Sequence, residues 1–309
     1  MKKIGIITLG TRRPSLWEVH AEELSKCKYT DYHMYLLVDD ISMEYANKIK
    51  DILRDKITIV IGFLKDQNNY INKIIFGINQ SHPFSIKHDE DAVMTSASWD
   101  RFFKLTETMT NEDVFCTGSI SNGIPTTELF IEHHIPEAKE KIYKIFNSIT
   151  LVPHGGADHS SLHANNPTWD SDDFYKKLTN FYHYYKGIHP VRESFESVKM
   201  INDEIMKNFD SVMSPKEIKI IKDSTKYPYL CSNIFGIKTI DWKTIVEDRS
   251  LYVDNFDEVP INRFRNNTKR NLVIDVGIPI LHTMYNWTPE WEYENTLIEN
   301  IKLKLKEYS

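Results

Sequence analysis

Three carboxylates in a row, Asp89-Glu90-Asp91, follow the apolar-leaning stretch from Phe84 to His88 and precede Ala92-Val93-Met94. A strand that ends in closely spaced carboxylates delivers oxygen ligands to the edge of a sheet. Hard divalent cations take such ligands, and a magnesium-type ion bridges carboxylates to phosphate oxygens. The Asp-x-Asp spacing is therefore a candidate seat for a metal-bound diphosphate, and its competing reading is a solvated acidic turn. Two later segments carry similar residue types: Asp257-Glu258 opens an expected helix, and the apolar run from Gly277 to Leu281 ends in His282. A fourth segment holds His154, Asp158, His159 and His163 among glycines. Those side chains suit a nitrogen–oxygen zinc site, but their spacing matches no zinc motif, and the polarity and glycines of the segment read as a loop.

The elements that position these residues alternate between strands and helices. Ile4 to Leu9 reads as a short buried strand, Gly10 to Pro14 as a turn, and Ser15 as the cap of a helix from Leu16 to about Ser25. A second strand runs from Tyr32 to Val38 and ends at Asp39-Asp40; Ser42 starts a helix to about Arg54. Ile57 to Ile61 is a third strand, Asn69 to Asn79 has helical spacing, and the fourth strand runs into the acidic cluster before a helix from Ser96 to Glu107. Such alternation predicts an α/β fold with a largely parallel sheet covered on both faces. Ligands of such sheets bind beyond the carboxyl ends of the strands, where Thr8 to Arg13, Asp39-Asp40 and Asp89 to Asp91 all fall. Beyond residue 118 the pattern is less regular, with helical stretches expected at Thr126 to Ile149 and Asp172 to Tyr185. Apolar runs return at Tyr229 to Ile234 and Leu272 to Leu281, and a polar helix is expected from about Pro289 to Lys306.

Bulk composition sets outer bounds. The 309 residues suffice for one large domain or two small ones. A net charge of −6 gives no global attraction to nucleic acid. Cys27, Cys116 and Cys231 are odd in number and widely spaced, which reads as reduced thiols rather than a disulfide framework. Met1-Lys2-Lys3 leads directly into a strand-like run, and no stretch approaches the length of a transmembrane helix, so the expected location is cytoplasmic, or the host cytoplasm if the protein is viral.

Taken in order, the motifs resemble the GT-A glycosyltransferases, particularly the family 2-like branch. Thr8 to Pro14 resembles the nucleotide-binding first turn, and Val38-Asp39-Asp40-Ile41-Ser42 the family's V-D-D-x-S. Asn72 to Ile78 is similar to its N-x-G-I helix, with the asparagine and glycine spread apart. Lys87 to Asp91 resembles the K-x-D-D-D metal motif, with Glu90 in the middle place. Asp257-Glu258 resembles the late acidic pair that holds the catalytic base, and His282 the late histidine that completes the metal site.

The resemblance implies a GT-A fold, a Rossmann-like, mostly parallel mixed sheet with helices on both faces and an irregular helical insertion on the acceptor side. It divides the chain into a nucleotide-sugar-binding half (1–117), an acceptor-side insertion (118–228) and a C-terminal part completing the site (229–309). It implies a soluble transferase moving a sugar from a nucleotide-sugar, UDP-sugar by default, to an acceptor hydroxyl, with inversion suggested by the late acidic pair and retention as the alternative. The cofactor is a divalent metal, Mn2+ or Mg2+, with Asp91 as primary ligand, Asp89 in support and His282 as third ligand or else a packed histidine. Asp257 or Glu258 serves as base, the other capping the helix. Thr8, Gly10, Arg12, Arg13, Asp39, Asp40, Asn72, Lys73, Asp89 and Glu90 line the donor, with Asp39 on the base and Asp40 on the ribose. Trp99 and Trp287 stack on a sugar or pack in the core. The acceptor is a glycan, or a hydroxymethylated pyrimidine of phage DNA, which would require a basic path such as Lys176, Lys177, Arg263, Arg265, Lys269 and Arg270. A nucleotidyltransferase using the same acidic metal site is a further reading, against which stands a first turn with a single glycine, Gly10.

Overall fold

A computed structural model describes residues 2–10, 13–38, 40–61, 82–123, 125–148, 191, 195–224, 230–231, 233–251, 258–283 and 291–308. The sheet begins with β1 (Ile4–Gly10), whose seven residues are all buried. Parallel to it lie β2 (Tyr32–Val38) on one side and β4 (Phe84–Asp89) on the other, with β3 (Ile57–Ile61) beyond β2. The remaining strands are β5 (Ala92–Val93), β6 (Asp113–Ile120), β7 (Ile220–Asp223), β8 (Ile234–Lys238) and β9 (Asn271–His282). The order is β3-β2-β1-β4-β8-β6-β9-β5, with β7 also on β9. β8 runs antiparallel to both β4 and β6, and β6 is parallel to β9. Six of the nine described strands therefore share one direction, and β5, β7 and β8 oppose it.

Helices cover both faces of this sheet because its strands are apolar on both sides. Ile4 and Ile6 of β1 pack with Trp17, Ala21 and Leu24 of α1 (Pro14–Ser25), Ile49 and Leu53 of α2 (Met43–Leu53), and Trp99, Phe102 and Phe103 of α3 (Ser96–Glu107). Ile7 and Leu9, facing the other way, belong to a second core with Trp242, Ile245 and Val246 of α8 (Thr239–Glu247) and Ile261 of α9 (Glu258–Thr268). A third core joins Leu16 and Val19 of α1 and Leu281 of β9 to α4 (Thr127–His134), α5 (Lys139–Phe146), α6 (Phe195–Lys207), α7 (Phe209–Met213) and α10 (Trp291–Glu307). Among the described residues no helix is long and apolar enough to cross a membrane.

Side-chain caps mark the starts of α2 and α3. The Ser42 hydroxyl accepts a hydrogen bond from Tyr45 N at 3.2 Å, and Thr95 caps α3 by accepting from Ser98 N at 3.3 Å. Ser15, expected as a cap, instead lies inside α1, which starts at Pro14 with no side-chain cap from Arg13; a proline at the first helical position has no N–H to satisfy there. The single helix expected from Thr126 to Ile149 is two, separated by a 3-10 turn at Pro136–Ala138, because proline cannot continue the ladder. The apolar run that ends at Ile234 leads into β8, which starts at that residue. The 117/118 boundary drawn from sequence falls inside β6. The helical readings at 69–79 and 172–185 and the histidine loop at 154–163 lie outside the described residues.

Candidate active site

The chain turns sharply between β4 and β5, and the turn consists of Glu90 and Asp91. β5 then pairs antiparallel with the end of β9, setting Ala92 opposite His282. That pairing brings together two residues far apart in sequence: Asp91 Oδ1 stands 3.4 Å from His282 Nε2. Thr283 N donates to the Asp91 carbonyl at 2.9 Å and fixes the register.

The peptide groups on either side of Asp91 are held by two buried histidines. His20 Nε2 donates to the Glu90 carbonyl at 2.6 Å, and His88 Nε2 donates to the Ala92 carbonyl at 2.8 Å. The rings meet edge to face at 4.4 Å between centroids. Burial lowers both pKa values, His20 to about 4 and His88 well below the ordinary range, so both rings are neutral near pH 7. His88 Nδ1 therefore accepts from the Thr8 hydroxyl at 3.0 Å.

The three carboxylates of the cluster have separate environments. Asp89 is partly exposed and takes Lys87 Nζ at 2.6 Å. Glu90 is buried and accepts from Trp17 Nε1 at 2.6 Å, from Arg13 N at 3.3 Å and from an Arg13 guanidinium nitrogen at 3.4 Å. Asp91 is buried too, with Arg13 at 3.8 Å, and its Oδ1 has no hydrogen-bond partner. Burial raises the Asp91 pKa, but the His282 ring and the Arg13 guanidinium outweigh it and hold the carboxyl well below the usual carboxylate range. A buried carboxylate oxygen without a donor is costly unless a cation or ligand satisfies it.

His282 presents its side chain in a defined way. Its Nδ1 lies 2.8 Å from the Asn122 carbonyl, which only accepts, so Nδ1 carries a hydrogen and Nε2 faces Asp91. A ring fixed through one nitrogen by a backbone carbonyl is the arrangement in which the other nitrogen ligates a metal. Asp91 and His282 thus fit a divalent cation. Asp89, expected with them, stands apart: among the described residues no three His, Cys, Asp or Glu side chains form a metal-holding group.

The described residues on either side of the turn after β1 are tightly packed. Thr8 is buried on His88. A Cβ on Gly10 would stand 2.8 Å from Trp17 Cε2 and 2.9 Å from Val38 Cγ1, so glycine is required for the indole to cover the strand. Arg13 is buried, with Nε donating to Glu294 of α10 at 2.5 Å. Burial opposes its charge, but Asp91, Glu294 and Glu90 raise its pKa further still. Asp40, beyond the end of β2, is exposed. Arg12, Asp39, Asn72, Lys73, Asp257 and Trp287 lie outside the described residues; Glu258 is the first residue of α9 and its side chain is not described.

Of the two readings of Trp99 the structure selects core packing, since the residue is fully buried and stacks on Phe103 at 5.5 Å. One further expectation is corrected. The basic path fails at Arg265, which is buried with a guanidinium nitrogen 3.3 Å from Asp223, and at Arg270, which forks onto Asp241 at 2.8 and 2.7 Å. Sequence reasoning also passed over His20, Trp17 and Asn233. Asn233 sits just before β8 with Nδ2 3.0 Å from His282 Nε2, and an asparagine in an irregular stretch gives no spacing signal.

No family model and no curated protein matches the chain. Among solved structures, it is similar to a 4-diphosphocytidyl-2C-methyl-D-erythritol synthase from Anaerococcus prevotii, at 10% identity over 97% of this chain and 96% of that one, with a TM-score of 0.44. It is also similar to a putative nucleotide-diphospho-sugar transferase from Desulfovibrio desulfuricans, at 7% identity over 39% of this chain and 59% of that one, with a TM-score of 0.29. At these scores the likenesses carry no weight, and the α/β architecture rests on the strand order and helix layers described above.

Proposed function

We propose that this protein is a metal-dependent glycosyltransferase that moves a sugar from a nucleotide-sugar, UDP-sugar first, to an acceptor hydroxyl with inversion. One observation carries the proposal. The β4–β5 turn and the end of β9 set Asp91 against His282 at 3.4 Å, with a buried Asp91 oxygen left unpartnered, at the carboxyl end of a largely parallel sheet. The order of the GT-A-like motifs in the sequence supports the same reading.

Asp91 and His282 would hold the divalent ion, which, when bound, supplies Lewis-acid stabilisation of the departing nucleotide diphosphate. His20 and His88 keep the peptides flanking Asp91 in place, and Glu90 with Arg13 and Trp17 braces the turn from behind. In the proposed reaction Asp40 meets the donor ribose. Asp257 or Glu258 takes the proton of the attacking hydroxyl from the face opposite the leaving group. The buried Arg265 and the paired Arg270 favour a glycan or other small hydroxyl acceptor over duplex DNA.

The test is calorimetric titration of UDP-, GDP-, CMP- and dTDP-nucleotides with and without Mn2+, on wild type and on Asp91→Ala. Metal-dependent binding of one class, lost in the variant, is expected. Absence of binding to all of them with metal present overturns the reading. Pyrophosphate release from a nucleoside triphosphate would mark nucleotidyl transfer instead.

A further inference from the structure

A divalent ion held by Asp91 and His282 needs more donors than two side chains, because hard divalent cations take six or more ligands. Asn233 offers the next one. Its backbone carbonyl accepts from Asp89 N at 2.8 Å, which anchors it beside the acidic turn. The residue is only 7% exposed. Its Nδ2 lies 3.0 Å from His282 Nε2, while its Oδ1 is buried without a hydrogen-bond partner.

The Asn233 amide and Asp91 Oδ1 therefore stand against one imidazole nitrogen whose ring is fixed from its far side by Asn122, and each side chain carries an oxygen without a hydrogen-bond partner. A half-turn of the amide about its last side-chain bond exchanges its ends without moving the residue. Oδ1 then occupies the position 3.0 Å from Nε2, and Asp91 Oδ1 is 3.4 Å from the same nitrogen. Neighbouring ligands of an octahedral ion with bonds of about 2.1 Å stand about 3 Å apart, so both spacings suit adjacent corners of one coordination sphere.

We propose that Asn233 is the third side-chain ligand of the divalent cation, through its amide oxygen. The proposal rests on the metal-dependent reading above. The resulting set has one carboxylate, one imidazole and one neutral oxygen. Its imidazole favours a first-row transition ion such as Mn2+ over Mg2+ or Ca2+. Its single negative charge, already shared with Arg13 at 3.8 Å, leaves diphosphate oxygens to complete the neutralisation.

The experiment titrates Mn2+ into the full chain, alone and with UDP, following free Mn2+ by its electron paramagnetic resonance signal. Thermal unfolding of each metal-free variant is recorded alongside. Asn233→Ala is expected to weaken Mn2+ binding about tenfold, and Asn233→Asp to tighten it by adding a charged oxygen. If Asn233→Ala does not fold, the Asn233→Asp result decides alone. Wild-type affinity in Asn233→Ala, with binding lost in Asp91→Ala, overturns the proposal and leaves the metal-dependent reading standing. Equal weakening in Asn233→Ala and Asn233→Asp also overturns it, since that pattern belongs to an amide that only steadies His282. Absence of Mn2+ binding by wild type under both conditions overturns this proposal and the metal-dependent reading together.

Discussion

The turn after β1 and the turn after β4 stand side by side at one end of the sheet, since Leu9 is paired with Asp89. The first is built from satisfied groups. Thr8 meets His88, Gly10 lies under Trp17, and Arg13 is held by Glu90, Asp91 and Glu294. The second keeps polar atoms in reserve, with Asp91 Oδ1 and neighbouring Asn233 Oδ1 buried and unpartnered. A satisfied buried group stabilises a shape, whereas an unsatisfied one lowers stability until something binds it. The residues flanking the first turn thus act as scaffold, and the unsatisfied atoms sit at the second.

The largest test of that division is Asp91→Asn, which keeps the volume and removes the charge. It is expected to abolish Mn2+-dependent nucleotide binding and to slow transfer roughly a thousandfold, about 4 kcal/mol, in initial-rate assays with the donor identified by titration. Normal turnover would erase the distinction between the turns.

Next comes acid sensitivity of the scaffold. Burial holds His20 and His134 at about 4, whereas the unfolded chain titrates near the ordinary 6.5. The unfolded state binds these protons first, so their contribution is complete above about pH 6.5 and is lost as pH falls toward 4, roughly 3 kcal/mol for each. Asp91, whose folded pKa lies below its unfolded value, adds a further loss only below about pH 4. Urea midpoints between pH 7.5 and 4 should fall accordingly, and His20→Gln should reduce the slope, the remainder coming from His134 and from His88, whose pKa burial also lowers.

Smaller effects sharpen the scaffold side. Glu90→Ala removes the acceptor of Trp17 and a partner of Arg13, and should cost about 3 kcal/mol in chemical unfolding. Gly10→Ala forces a methyl group against Trp17 and Val38 and should cost roughly 2 kcal/mol in the same measurement. A neutral result for either would show that the packing around Trp17 has slack.

Where local chemistry decides structure, the sequence was readable. Ser42 and the stretch from Ser96 to Glu107 mark their helices through caps and apolar spacing, and β1, β2 and β4 declare themselves as apolar runs between turns. The placement of β8 between β4 and β6 was not readable, because strand neighbours distant in sequence leave no local trace. The site divides the same way. Asp91 and His282 stood out by type and strand-end position, and the fold brings them together. Glu90 could not be separated from its neighbours by spacing, yet it faces Trp17 while Asp91 faces His282. Arg265 had the composition of a solvated basic face, and only the packing of α9 reveals it as buried.

The pairing of early with late segments also sets a timetable. β4 needs β8, and β5 needs the last residues of β9, before Asp91 has its neighbours. During synthesis the strands β1 to β3 can assemble while the ribosome is still at work. The candidate centre has to wait for β8 and β9 to be made. A nascent chain halted before His282 would carry its acidic turn with no imidazole opposite it, so Asp91 meets its partner only once β9 is complete.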